Sequence, residues 1–303
     1  MAYKSFDELF AGIGGAGDRR KTVAVMAAED AHTLEAVGQA VNAGIVDAVL
    51  IGDGKKIEQQ FDLLPEKFAN TIIHVSSNMD AVATAAELIK KGEAHFLLKG
   101  LLQTGEMMKV LMREESNFRT GRQLSHLSIV QIPNYHKLIG LTDAALNIYP
   151  DLPQKKEIVV NAVDAMHSMG FVEPKVAVLA PVEQVNPKIQ ETVDADALKM
   201  MNRQGELPGC IVDGPLSYDL AMDREAAEVK EIDSAVAGDA DLLVVPNLSV
   251  GNTLLKALRY SAKATTAGIV VGGKVPLVLT SRAAEVAAKY LPIVLAAAAC
   301  ARQ

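Results

Sequence analysis

The sequence alternates short apolar runs with segments of helical periodicity, and this alternation limits the fold more than any other feature. The run TVAVMAA, residues 22–28, has the length and composition of a buried strand. The next segment, residues 30–42, places Leu34 and Val37 on one helical face. Another apolar run, DAVLIG, follows at residues 47–52. Repeated strand–helix units of this kind predict an α/β protein with a mostly parallel sheet and helices on both faces.

The same alternation starts again after a polar, basic stretch, REESNFRTGRQ, at residues 113–123. Further strands are predicted at 127–131 and 175–179, and between them residues 153–169 predict a long amphipathic helix that Asp151 can cap. A chain of 303 residues suits about two domains. We therefore expect a domain boundary at the end of the basic stretch, between residues 123 and 124.

Charge and cysteine content narrow the class of protein. The net charge of −7 argues against a broad nucleic-acid surface, although a few Lys or Arg residues can still hold a small phosphorylated ligand. The two cysteines, Cys210 and Cys300, are expected to be buried thiols in a reducing compartment. No Cys/His group has metal spacing, and the N-terminal sequence lacks the apolar stretch of a signal peptide. A cytoplasmic protein without a metal is expected.

Ligands of open α/β sheets bind beyond the carboxyl ends of the strands, so chemistry is expected in turns that leave a strand and open a helix. The run PLVLTSR, residues 276–282, is such a junction and carries Thr280, Ser281 and Arg282. A helix N-terminus attracts anions, and a hydroxyl with a guanidinium there can clamp a phosphate or an oxyanion. Simple helix capping by Thr280 or Ser281 is the alternative.

A second junction of this kind is KGLLQTGEMMK, residues 99–109, in which Thr104 opens a helix and Lys99 and Lys109 add positive charge. The alternative is a capping box, a hydroxyl followed by Glu, among surface lysines. A third is the segment 237–256, which carries Gly251, Asn252 and Lys256 after a strand. Gly251 would admit a close backbone approach, Asn252 would cap or bind, and Lys256 would attract an anion. Ordinary connection chemistry is the alternative.

The segment DGPLSYD, residues 213–219, follows an apolar run and places Asp213 at a predicted strand end. A turn that faces a ligand and a plain Asp-Gly-Pro turn fit it equally well.

These motifs, in this order, resemble the phosphate acetyl/butyryltransferase family. The resemblance runs from Val23 to about Ala298 and is carried by the 16 residues AGDADLLVVPNLSVGN, by DGPLSYD, by the stretch 141–163, by KGLLQT and by LTSR. It implies two three-layer αβα domains with a cleft between them, like isocitrate and isopropylmalate dehydrogenases. The first domain would be 1–123 plus 274–303 and the second 124–273. Homodimers or larger homo-oligomers are implied.

The implied reaction is acyl-CoA plus phosphate giving acyl phosphate plus CoA, with CoA as a substrate and no bound cofactor. By the resemblance, Ser281 and Arg282 match a pair that stabilises the transition state and binds phosphate. Thr104 matches a hydroxyl of the acyl phosphate site, Lys256 a lysine near it, and Lys109 the position of an arginine that meets CoA.

Two positions depart from the acetyl branch of the family. An aspartate proposed as the base in that branch is replaced by Ala288, so Glu285 is our candidate base, and Asn247 stands where that branch has an acidic residue. Both departures and the short chain favour the butyryl branch.

Three alternatives remain open. The same chemistry could act on acetyl or propionyl groups, since one buried CH₂ is worth only about 0.8 kcal/mol. A non-catalytic module that binds acyl phosphate or CoA would explain the loss of the aspartate at Ala288. The third alternative is a dehydrogenase on the same fold, but the sequence shows no metal-binding Asp cluster and no dinucleotide loop that follows a strand.

Overall fold

The structure is a computed structural model that describes residues 3–11, 20–280 and 285–300. The chain divides into two compact units. The terminal unit consists of the described residues within Leu9–Arg122 and Ala267–Gln303, and the middle unit of those within Met1–Glu8 and Gln123–Thr266. The sequence led us to expect boundaries at 123/124 and 273/274 and the N-terminal residues in the first domain.

Residues 3–8 belong with the middle unit because they pack on it. The Tyr3 ring meets the Phe171 ring edge-on at 5.2 Å, and the Tyr3 hydroxyl donates to the carbonyl oxygen of Met169 at 3.0 Å. The Leu138 N–H donates to the Tyr3 carbonyl oxygen at 2.7 Å. These contacts join the start of the chain to segments more than 130 residues away.

The elements of the terminal unit follow the strand–helix alternation of the sequence. They are α1 (Phe6–Ala11, which begins in the middle unit), β1 (Lys21–Met26), α2 (Ala31–Asn42), β2 (Val46–Gly52), α3 (Gly54–Asp62), β3 (Thr71–His74), α4 (Asn78–Lys91), β4 (Phe96–Lys99) and α5 (Thr104–Leu111). A 3₁₀ turn at Glu114–Ser116 follows α5.

The middle unit adds β5 (Ser125–Gln131), β6 (Ile139–Thr142), α6 (Leu152–Ser168), β7 (Lys175–Leu179), α7 (Gln190–Arg203), β8 (Ile211–Leu216), α8 (Tyr218–Met222), α9 (Arg224–Val229), β9 (Leu242–Val244) and α10 (Leu248–Tyr260). Then come β10 (Thr265–Val271), which begins in the middle unit, and β11 (Leu277–Val278) and α11 (Val286–Ala299) of the terminal unit.

The strands of the terminal unit have the order β3-β2-β1-β4-β11-β10. Neighbours are parallel except β10, which is antiparallel to β11. The chain moves outward from β1 to β3 and then returns to the other side of β1 as β4. Because parallel crossovers are right-handed, this reversal puts α2 and α4 on opposite faces of the sheet. The gap between β1 and β4 is therefore the topological switch point, where open α/β sheets bind ligands.

The strands of the middle unit have the order β5-β6-β9-β7-β8 and are parallel except β5, which is antiparallel to β6. Their inward residues join one apolar cluster that includes Leu141, Leu179, Leu216 and Leu243. This composition of Ala, Val, Leu and Ile is typical of strands covered on both faces. The α/β class expected from the sequence is confirmed.

Helix ends follow the chemistry visible in the sequence. The Asp30 carboxylate caps α2 by accepting from the Thr33 N–H, and Gly92 ends α4 with a left-handed φ of 74°. At α6, Asp151 and Gln154 form a complete capping box and Pro153 lies in the first turn, as predicted. Each cap satisfies backbone groups that a helix end leaves unpaired.

Candidate active site

The carboxyl edge of the terminal sheet carries two of the predicted site residues. Strands β1, β4 and β11 are parallel neighbours, so the chain leaves all three at the same edge. Thr104 follows β4, and Thr280 follows β11. Neighbouring strands lie about 4.8 Å apart, so the two turns start close together, beside the switch point between β1 and β4.

The turn after β4 is packed directly on the end of β1. The N–H groups of Gly100 and Leu101 donate to the carbonyl oxygens of Met26 and Ala27 at 2.8 and 2.7 Å. A Cβ at position 100 would lie 2.2 Å from the Ala27 carbonyl oxygen, well inside contact distance. Only glycine fits this approach without moving backbone.

Lys99 organises the same turn from inside the protein. Its side chain is only 5% exposed, and its Nζ donates to the carbonyl oxygens of Gly100 and Leu102 at 3.3 and 3.2 Å. A buried ammonium needs such acceptors, and here the turn supplies them. Sequence reasoning treated Lys99 only as added charge, since nothing in the sequence shows that its side chain folds back into its own turn.

The Thr104 hydroxyl is left available by this arrangement. The cap of α5 is Gln103, whose side chain makes no capping bond, and Thr104 is the first helical residue. The capping-box alternative is therefore wrong for this helix. The Thr104 side chain is exposed and makes no hydrogen bond to the described residues. A hydroxyl next to unpaired backbone N–H groups at a helix N-terminus is suited to bind an anion.

Lys109 lies at the other end of the same helix. It is exposed and belongs to the last turn of α5, where a cation stabilises the helix dipole. At 1.5 Å per residue it stands roughly 8 Å along the axis from Thr104. Its contact with CoA stays a prediction.

The segment after β11 is only partly described. Thr280 is partly buried, and Ser281 and Arg282, the two residues given the central roles, lie outside the described residues. Glu285 is exposed, has extended backbone (φ −66°, ψ 162°) and makes no capping bond, and α11 begins at Val286. The sequence predicted a helix from about residue 282, but the extended backbone of Glu285 shows that the described helix starts four residues later.

A buried lysine fixes the start of α11 against α2. The Lys289 ammonium is 2% exposed, pairs with the Asp30 carboxylate and donates to the Thr33 hydroxyl at 2.9 Å. Burial raises the pKa of Asp30, but the hydrogen bonds from Lys289 and Thr33 outweigh it and hold the pKa below its usual value. The pair ties the helix that follows residues 281–284 to the end of β1, a role that the sequence did not reveal.

The carboxyl edge of the middle sheet is built on Asp143, the residue after β6. Its carboxylate accepts from the N–H groups of Ala145 and Leu146 at 2.8 and 2.9 Å and from the Asn147 side chain at 2.6 Å. These three donors, all from the turn itself, fix the turn 143–147 firmly on one buried carboxylate.

Helix α10 packs on that turn through Gly251 and Asn252. A Cβ at position 251 would lie 2.6 Å from the Asp143 carbonyl oxygen, and the Asn252 side chain donates to the Ala144 carbonyl oxygen at 3.2 Å. The cap of α10 is Asn247, which accepts from the Val250 N–H at 3.1 Å. Asn252 thus lies inside the helix and does not cap it, contrary to one of the two roles that we expected, because the helix already begins at Leu248.

Lys256 is the ninth residue of α10, two turns from its N-terminus. Its side chain is exposed and has no ion-pair partner among the described residues. It therefore remains free to attract an anion from solvent.

Asp213 is not at a strand end, and this part of the prediction is wrong. It lies inside β8, pairs with Lys199 at 2.6 Å and accepts from the Gly214 N–H at 2.8 Å. The letters Asp-Gly-Pro favour a turn, but pairing of β8 with β7 continues past them as far as Leu216. Tertiary pairing here overrides the local preference for a turn.

The terminal unit thus carries Thr104, Lys109, Thr280 and Glu285, and the middle unit carries Asp213, Gly251, Asn252 and Lys256. Among the described helices, none has the length and apolar character needed to cross a membrane.

The fold and these edges define an α/β protein with a hydroxyl-bearing helix N-terminus at a topological switch point. Residues 62–297 match the family model described as Phosphate acetyl/butaryl transferase. The chain belongs to this family. It is 38% identical to a phosphate butyryltransferase of Clostridium acetobutylicum, over 97% of both chains. It is 39% identical to a phosphate acetyltransferase of Thermotoga maritima, over 91% of this chain and 94% of the other.

Solved structures are similar over almost the whole chain. A branched-chain phosphotransacylase from Enterococcus faecalis V583 matches with a TM-score of 0.82 and 30% identity, covering 93% of this chain and 100% of the other. A 4-hydroxythreonine-4-phosphate dehydrogenase from Klebsiella pneumoniae matches with a TM-score of 0.56 and 11% identity, covering 92% and 98%. The second likeness concerns the fold alone and agrees with the dehydrogenase-like fold that the sequence predicted.

Proposed function

We propose that this protein is an acyltransferase that catalyses butanoyl-CoA + phosphate = butanoyl phosphate + CoA. The observation that carries the proposal is the 38% identity to a phosphate butyryltransferase over 97% of both chains. The exposed Thr104 hydroxyl at the N-terminus of α5 supports it, because the reaction needs donors for phosphate and carbonyl oxygens.

In the direction that makes acyl-CoA, the CoA thiol loses its proton and the thiolate attacks the carbonyl carbon of the acyl phosphate. The carbon–sulfur bond forms, the bond from that carbon to the bridging phosphate oxygen breaks, and phosphate leaves with its electron pair and takes up a proton. Negative charge builds on the carbonyl oxygen and on the leaving phosphate. Donors and cations aimed at those oxygens lower the barrier.

The roles of the residues follow from that charge pattern. We assign phosphate binding and transition-state stabilisation to Ser281 and Arg282, with Thr280 beside them. The Thr104 hydroxyl and the first N–H groups of α5 donate to the acyl phosphate. Lys256, with Gly251 and Asn252 on the same helix, attracts the substrate anion, and Lys109 meets the phosphates of CoA.

Proton removal from the thiol is assigned to Glu285, which is exposed at the start of α11. A free thiol ionises near about pH 8.5, so a base is useful at neutral pH. A pH–rate profile that is the same for the wild type and for Glu285→Gln would remove this residue from the mechanism.

The acyl group passes directly from one substrate to the other in a ternary complex. A route through an acylated cysteine is disfavoured because burial raises the pKa of Cys210 to about 11 and that of Cys300 to about 12. Isotope exchange between labelled CoA and butanoyl-CoA in the absence of phosphate distinguishes the two routes. A covalent route gives exchange, whereas the direct route predicts none.

The phosphate acetyltransferase of T. maritima supports an alternative in which the acyl group is acetyl or propionyl. Steady-state kcat/KM values with acetyl-, propionyl-, butanoyl- and branched acyl-CoA, at fixed phosphate, test it. We expect butanoyl-CoA to exceed acetyl-CoA about tenfold or more, on the scale of two buried methylenes. A preference for acetyl-CoA would overturn the butanoyl assignment. CoA binding without any phosphate-dependent turnover would favour the non-catalytic module.

We also propose that the enzyme acts in butyrate metabolism of a fermenting cell, in the cytoplasm, as a homodimer or larger homo-oligomer. Two free buried cysteines support a reducing compartment. Light scattering of the purified protein tests the oligomer, and a monomeric mass would contradict it.

A further inference from the structure

His126 lies at the carboxyl edge of the strands of the middle unit, although no motif distinguishes it from the other five histidines of the chain. It is in β5, whose antiparallel register with β6 brings it opposite Asp143. The backbone N–H of His126 donates to the Asp143 carboxylate at 3.1 Å, and the Thr142 hydroxyl donates to the backbone carbonyl oxygen of His126 at 2.9 Å. The residue therefore borders the turn 143–147, on which Gly251 and Asn252 pack.

The two ring nitrogens of His126 differ in their surroundings. Nδ1 is fully buried and has no hydrogen-bond partner in the part of the chain that the structure describes. Nε2 makes no hydrogen bond to the described residues either, but this atom is not fully buried, and the residue is partly exposed. Because Nδ1 is enclosed, the open side of the ring is the Nε2 side.

The ring is neutral at neutral pH. Burial lowers the pKa of His126 below its usual value, and the nearby Asp143 carboxylate opposes this without reversing it. A neutral imidazole carries one proton, on one nitrogen only.

The buried surroundings decide which nitrogen holds that proton. An N–H buried without an acceptor is rarer and costlier in proteins than an acceptor left without a donor. We therefore assign the lone pair to the enclosed Nδ1 and the proton to Nε2. The outward face of the ring is then a hydrogen-bond donor and not a base.

We infer that His126 is a further catalytic residue that donates from Nε2–H to the carbonyl oxygen of the acyl group, an inference that rests on the proposed function. The carbonyl oxygen is a better partner than a phosphate oxygen, because the Asp143 carboxylate close to the ring repels a group that is already negatively charged in the bound substrate. A carbonyl oxygen is neutral in the substrate and gains charge only in the transition state, where a fixed neutral donor stabilises it.

Three variants test the donor role. His126→Ala should lower kcat about 100-fold with little change in KM, the scale of losing one oxyanion donor. His126→Gln carries an N–H donor of similar reach and should regain at least tenfold of that loss. His32→Ala, at an exposed histidine of α2, is the matched control and should leave kcat unchanged. Melting temperatures show whether each variant is folded.

A His126→Ala variant that is folded and within threefold of wild-type kcat would overturn the inference. So would a His126→Gln variant as slow as His126→Ala, because that pattern belongs to a base. A long-range ¹H–¹⁵N spectrum of the wild type gives an independent readout: the expected state has the proton on Nε2, and a proton on Nδ1 would contradict the assignment. If the wild type itself shows no phosphate-dependent turnover, the proposed function fails, and the spectrum still decides the tautomer.

Discussion

The two units use the polar residues at the carboxyl ends of their strands in different ways. In the terminal unit, backbone groups and the buried Lys99 ammonium build the turn after β4, and the Thr104 hydroxyl stays exposed without a partner among the described residues. In the middle unit, side chains build the edge: the Asp143 carboxylate accepts from the N–H groups of its own turn, and Asn252 donates to the Ala144 carbonyl oxygen, while Asp213, inside β8, pairs with Lys199. Residue types that look equally suited to bind a ligand thus serve structure at Asn252 and Asp213 and stay available at Thr104.

This contrast indicates that a binding site at a strand end requires two kinds of residue: those that shape the turn and those that contact the substrate. Gly100 and Gly251 both serve close backbone approaches, because a Cβ at either position would meet a carbonyl oxygen at 2.2 or 2.6 Å. Neither glycine is thereby shown to face a ligand. The available groups are Thr104 in the terminal unit, and Lys256 and the Nε2 side of His126 in the middle unit.

The largest effect is expected at Gly100. In Gly100→Ala the new methyl group would meet the Ala27 carbonyl oxygen, so the turn must shift, and we expect a loss of about 3 kcal/mol in the free energy of unfolding, together with most of the activity. Gly105→Ala is the control: nothing lies within 4 Å of its Cβ, and alanine in a helix should stabilise by up to about 1 kcal/mol. Equal stability of the two variants in urea unfolding would contradict the packing account.

The next effect is expected at Thr104. Thr104→Val removes the hydroxyl with little change of shape, and kcat/KM for phosphate should fall about tenfold, the scale of one hydrogen bond to a charged group. Thr104→Ser keeps the hydroxyl and should retain most of the activity. An unchanged kcat/KM in Thr104→Val would mean that the free hydroxyl of the terminal unit has no part in the reaction.

A smaller effect is expected at Lys256. Lys256→Gln should raise the KM for phosphate about fivefold at low salt, the scale of an exposed charge, and less at high salt where the charge is screened. Arg259→Gln, an exposed cation one turn further along α10, is the control. Equal changes in the two variants would indicate general surface charge and not a site.

The smallest effect on rate is expected at Asp213. Because its carboxylate is paired with Lys199, Asp213→Asn should leave kcat and KM within about twofold and lower the free energy of unfolding by about 1 kcal/mol. Lys199→Gln should lose a similar amount of stability. A clear rise of KM in Asp213→Asn alone would restore the substrate-binding role that the sequence predicted and would weaken the contrast between the units.

The sequence predicted the elements well where apolar period and capping chemistry agree. The predicted cap at Asp151 is local, so neighbouring residues contain the information. The prediction from sequence failed where the pairing between strands decides the local structure. Strand β8 runs through an Asp-Gly-Pro sequence because β7 holds it.

The site residues that the sequence indicated and those that it missed differ in the same way. Motifs at strand ends indicated Thr104 and Lys256, since order along the chain reveals which turn opens a helix. Lys99, Lys289 and His126 were missed. Their roles depend on a fold-back into a turn, on the packing of α11 against α2, and on the register of β5 with β6, none of which the sequence displays.

The proposed reaction depends on phosphate being held at the carboxyl edge of the strands of the terminal unit, where Thr280 is followed by Ser281 and Arg282. The most direct test is the rate of phosphate-dependent CoA release from butanoyl-CoA, followed with a thiol reagent, in the wild type and in Arg282→Ala of equal melting temperature. We predict that the variant is slower by about 100-fold or more, as for the loss of one preorganised charge. A rate within about threefold of the wild type would contradict the account, because so small a loss leaves no room for a preorganised cation at the phosphate.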